Sequence, residues 1–86
     1  MQKELLKNKE ISLFYLDYLI YSPESLIVCS MVYKKYKNFC LKRGVEPMKY
    51  ILFRKELCNQ EENIYCVWKK SCYFFSNLTY KNYEDN

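Results

Sequence analysis

The only glycine of this chain, Gly44, and the second of its two prolines, Pro47, stand three residues apart between two stretches of helical periodicity. Upstream, Val32, Tyr33, Tyr36, Phe39 and Cys40 follow a spacing of three and four that marks one buried stripe. Downstream, Phe53 and Leu57 repeat that spacing. Gly44 follows the last apolar turn, where a left-handed cap is wanted, and Pro47 precedes the next helix. The stretch 31–59 is therefore expected to form two helices joined by Gly44-Val45-Glu46-Pro47. Two short helices about a short glycine-containing turn make a helix-turn-helix, whose second helix can enter a nucleic-acid groove.

These stripes fix what faces outward. On the first of the two helices, running to about Arg43, Lys34, Lys35, Asn38 and Lys42 point away from the core. The next helix begins near Lys49 or Tyr50; Ile51 and Lys55 point most directly outward, and Tyr50 and Arg54 flank the buried stripe. Charge follows the same segment. Residues 31–60 carry eight Lys or Arg against two acids, whereas the segments on either side each have an excess of one acid. A cationic surface of this kind suits phosphate, although a solvated helical face would read the same way.

The 86 residues suffice for one small domain, and 16 aromatics, 10 of them Tyr, supply a core. Residues 1–9 read as a linker or frayed start, 10–80 as the domain and 81–86 as a disordered tail. From Glu10 to Tyr21 a helix is expected, with one stripe at Ile11, Tyr15, Tyr18 and Leu19 and a second at Leu13, Leu16 and Ile20. The second stripe serves either core packing or docking onto another protein. Tyr21-Ser22-Pro23-Glu24 breaks the helix, Leu26-Ile27-Val28-Cys29 forms a short edge strand, and Ser30 stands where the next helix wants its cap. After the turn Gln60-Glu61-Glu62-Asn63, the β-branched and aromatic run 64–75 is interrupted by Lys69-Lys70-Ser71 as a hairpin tip.

Several kinds of chemistry have no residues to carry them. The chain has no His, so no catalytic triad or dyad is assigned, and one glycine cannot build a phosphate-cradling loop. The five cysteines, at 29, 40, 58, 66 and 72, show no CxxC pair, so they are expected to be reduced, metal-free small hydrophobes. Asn77-Leu78-Thr79 matches a glycosylation sequon, a triplet common by chance. No leader is visible and no apolar run reaches a membrane span, which points to a reducing compartment and away from a membrane. No cofactor is expected.

The order helix, short strand, helix, turn, helix, hairpin is that of an α+β winged helix-turn-helix. Val32-Tyr33, Tyr36, Phe39-Cys40, Gly44, Phe53 and Leu57 carry a narrower resemblance. The chain resembles the C-terminal winged-helix module of viral and phage-plasmid primase–helicases, the poxvirus members in particular, over about Ile11 to Leu78. It departs from them where the family often has a Ser or Thr cap on the third helix and this chain has Lys49. The resemblance implies a non-catalytic, DNA-binding appendage of a hexameric, ATP-dependent helicase in the host cytoplasm, with catalysis in other domains.

On this reading Lys49, Arg54 and Lys55 contact phosphates or base edges, and Lys34 and Lys35 hold the backbone. Lys69 and Lys70 lie along the minor groove or a neighbouring phosphate, and Tyr50 and Trp68 complete the DNA-binding set. The partner is duplex or forked DNA, with little sequence preference, and the isolated domain is monomeric. Two alternatives remain open: a protein–protein docking module, and a small stand-alone transcription regulator dimerising through its first helix.

Overall fold

Among the described residues, three helices and a three-stranded antiparallel sheet follow in the order α1 (Gln2–Tyr18), β1 (Leu19–Val28), α2 (Cys29–Lys42), α3 (Tyr50–Cys58), β2 (Tyr65–Lys69), β3 (Cys72–Tyr80). The sheet order is β1-β3-β2, so the last strand lies between the other two. This computed structural model describes the backbone of residues 2–81 and the side chains of 9–81. Residues 82–86 of the expected disordered tail lie outside the described residues. Lys81 itself is tied down: its N–H donates to the Tyr18 carbonyl at 2.8 Å and its Nζ donates to the Leu16 carbonyl.

The turn after α2 forms as its residues dictate. Gly44 takes φ +69°, open to glycine and strained for other residues. Its N–H donates to the Leu41 carbonyl and the Val45 N–H to the Cys40 carbonyl, the paired bonds of a Schellman cap. Two tyrosines of α2 then grip the turn. The Tyr36 hydroxyl accepts from the Met48 N–H at 3.1 Å, and the Tyr33 hydroxyl donates to the Met48 carbonyl at 2.8 Å. Arg43 adds a two-pronged ion pair to the buried Glu10, joining the end of α2 to α1.

The core gathers around Phe53. Its ring stacks on Tyr36 at 4.6 Å and lies 5.1 Å from Tyr33, 6.1 Å from Phe75 and 6.4 Å from Phe14. Val32, Tyr36, Phe39, Cys40 and Leu57 are buried with it, as the two stripes require. Among the described residues of α1, the buried apolar ones are Ile11, Phe14 and Tyr15.

The connection between α1 and α2 departs from expectation. The first helix begins at Gln2, within the segment read as a linker, and ends at Tyr18. Leu19 and Ile20 already belong to β1, so the supposed short strand is ten residues long. Pro23 therefore ends no element. It sits in an irregularity between Tyr21, which pairs with Leu78, and Leu26, which pairs with Ser76. An edge strand tolerates a proline and a bulge because its outer hydrogen bonds are not required. Ser30 is not a cap either; α2 starts at Cys29, directly after extended Val28 and without a side-chain cap.

Asn77 matches the bulge from the β3 side. Its φ is +67°, which resets the inward–outward alternation so that Phe75 and Leu78, three apart, both reach the core. Its carboxamide accepts from the Glu24 N–H and donates to the Asn63 carbonyl, both at 2.8 Å. The sequon asparagine is thus a structural clamp.

The hairpin tip is tighter than the sequence suggested. Lys69 pairs with Cys72, leaving a two-residue turn, Lys70-Ser71. Both residues have positive φ, 49° and 67°, as a primed hairpin turn requires and as Asn-Gly would supply more easily. Ser71→Gly is expected to raise stability by about 0.5–1 kcal/mol, the relief of left-handed strain less the entropy of a freer unfolded chain. The thermal midpoint should rise by a few degrees. An unchanged or lower midpoint would show that the turn carries no strain.

Candidate nucleic-acid interface

Buried Phe53 and Leu57 fix the rotation of α3, and the opposite side follows. Ile51 is 73% exposed, Leu52 43%, and Lys55 is exposed in the last turn. Lys49, also exposed, is the extended cap residue, and its carbonyl accepts the first helical bond from Phe53 N–H at 2.8 Å. Lys49 and Lys55 thus mark the two ends of α3. Its outward face between them is aliphatic, a feature legible from the spacing of Ile51 and Leu52 against Phe53.

Arg54 differs from these lysines. Its guanidinium lies over the Tyr73 ring at 3.9 Å and over the Tyr50 ring at 5.0 Å, and the buried Nε makes no hydrogen bond. The Tyr73 ring in turn meets Trp68 edge-on at 4.9 Å. Trp68, Tyr73, Arg54 and Tyr50 form a continuous stack that braces the hairpin against α3, held by cation–π and edge-to-face contacts. Trp68 nevertheless stays 62% exposed, with ring surface left for a ligand. The sequence does not point to Tyr73, because a three-residue tip would set Trp68 opposite Cys72; the observed register sets it opposite Tyr73.

The remaining cations divide between surfaces. Lys34, Lys69 and Lys70 are exposed. The Lys35 ammonium lies 5.3 Å from the centre of the Tyr80 ring, beside a cleft between α1 and α2 lined by Phe14, Tyr18, Asn38, Phe39 and Lys42. Lys37, absent from the expected set, sits 5.0 Å over Tyr33, whose ring also touches Tyr50 and Phe53 of α3. Lys37 is therefore joined to α3 through the Tyr33 ring, whereas Lys35 lies over Tyr80 of β3. Heptad-style counting on α2 could have found it, since Lys37 is four residues after Tyr33.

All five cysteines are free thiols. Among the described residues, no group of three or more His, Cys, Asp or Glu is arranged to hold a metal ion. No described helix is long and apolar enough to cross a membrane. No protein-family model matches the chain, and no curated protein matches it.

Proposed function

We propose that this is a winged helix-turn-helix domain that binds DNA through α3 and the β2–β3 hairpin. The observation that carries the reading is the braced pairing of those two elements: an outward α3 face ending in Lys49 and Lys55, tied by the Arg54 stack to a hairpin bearing Trp68, Lys69 and Lys70. The element order with β3 central supports the winged form. Contacts are mainly to phosphate, which positions without specifying sequence. The residue resemblance supports a role as a non-catalytic appendage of a viral replicative primase–helicase, aiding DNA capture or loading.

A second reading, protein docking, draws on the exposed aliphatics Leu16 on α1 and Ile51 on α3, at 59% and 73% exposure. One titration separates the two. Labelled duplex and forked DNA are added to the protein at low salt while the emission of Trp68, the only tryptophan, is followed. Saturable binding with a change in Trp68 emission is expected, because an aromatic face at the interface stacks on a base or loses water. Absence of binding to duplex, fork and single strand alike removes the DNA reading and leaves docking.

A further inference from the structure

Three thiols from three separate elements meet behind the Arg54 stack. Cys66, on edge strand β2, has its sulfur 3.7 Å from that of Cys58, the last residue of α3. It lies 4.0 Å from the sulfur of Cys29, the first residue of α2. Cys29 is fully buried, whereas Cys58 and Cys66 are only partly so. The neighbouring cation is Arg54, held between Tyr50 and Tyr73 with its buried Nε unpartnered.

This arrangement distinguishes the three sulfurs. Cys66, the sulfur within reach of both others, can accept from the thiols of Cys29 and Cys58, and these contacts, with the Arg54 charge beside it, hold it well below the usual thiol range. The same contact with Cys66, together with burial, pushes Cys29 and Cys58 up. The central sulfur is thus the one favoured as thiolate, with the Cys58 sulfur 3.7 Å away.

We propose that Cys66 is an oxidation site for peroxides, with Cys58 as its resolving thiol. The Cys66 thiolate attacks one peroxide oxygen; an S–O bond forms, the O–O bond breaks, and the departing hydroxide (or alkoxide) takes a proton. Cys66 is then a sulfenic acid. The Cys58 sulfur attacks it; an S–S bond forms, the S–O bond breaks, and the hydroxyl leaves as water with the Cys58 proton. For hydrogen peroxide, two thiols and one peroxide give one disulfide and two waters. The bond joins the end of α3 to the first strand of the hairpin. Cys58 resolves because its sulfur is nearer than that of Cys29 and it lies nearer the surface.

The test uses the 86-residue protein and hydrogen peroxide in small excess, followed by alkylation and peptide mapping. A Cys58–Cys66 disulfide is the expected product, and in Cys58→Ser a Cys66 sulfenic acid should be trapped by dimedone. A Cys29–Cys66 bond, or oxidation spread evenly over the cysteines, overturns the assignment. A second measurement needs no variant: iodoacetamide at mildly acidic pH should label Cys66 at least tenfold faster than Cys72, which is also partly exposed on the hairpin. Equal rates, or faster labelling of Cys72, would falsify the proposal.

Discussion

Phe53→Ala is expected to lower stability by about 3–5 kcal/mol. The ring is fully buried and in contact with four other aromatic rings, drawn from α1, α2 and β3. Removing it opens a cavity that those rings cannot collapse into, since Tyr33 and Tyr36 are held by their hydroxyls on Met48. A domain of this size has roughly 5–10 kcal/mol in total, so the variant should be largely unfolded at physiological temperature or melt tens of degrees lower. Ile51→Ala, two residues away on a 73% exposed side chain, should change stability by no more than about 0.5 kcal/mol. Chemical denaturation of both variants checks the pair. A cooperative transition for Phe53→Ala near that of the parent, or a larger loss for Ile51→Ala, would mean that α3 is rotated from the orientation described.

That orientation was legible in the sequence because it rests on periodicity alone. Phe53 and Leu57, four apart after a glycine cap, leave one way to turn the helix, and Gly44 adopts the left-handed conformation its position demanded. What was not legible depends on partners distant in sequence. Pro23 reads locally as a terminator, but the edge of the sheet accommodates it in a bulge that Asn77, 54 positions later, pins from the neighbouring strand. The two-residue hairpin turn is hidden in the sequence because Lys70-Ser71 lacks the glycine that usually announces one. Arg54 reads as a cation flanking the buried stripe and free to contact phosphate. Two tyrosines, one a helical turn back and one on β3, capture its planar guanidinium instead. The thiol cluster has the same origin: residues 29, 58 and 66 share no spacing rule and meet only when the sheet and α3 are assembled.

Affinity for duplex DNA is expected to fall about 300–1,000-fold when salt rises from about 50 to about 200 mM. Each lysine that neutralises a phosphate releases condensed counterion, so four to six contacts give a slope of about −4 to −5 in log affinity against log salt. The exposed cations proposed to make these contacts are Lys34, Lys37, Lys49, Lys55, Lys69 and Lys70. Lys49→Ala and Lys55→Ala should each weaken binding across all sequences and flatten the slope by about one unit. Lys35, over Tyr80 beside α1, and Lys9, exposed on α1, serve as comparisons whose replacement should leave the slope almost unchanged. Arg54→Ala belongs to another class. It removes the cation between Tyr50 and Tyr73, so its effect should appear in the thermal midpoint and in Trp68 emission of the free protein before any DNA is added. Fluorescence titrations at four or five salt concentrations measure all of these together. Equal losses from Lys9, Lys35, Lys49 and Lys55 variants would mean that the domain attracts DNA by net charge alone. A slope that Lys49→Ala and Lys55→Ala leave intact would take the DNA surface away from α3.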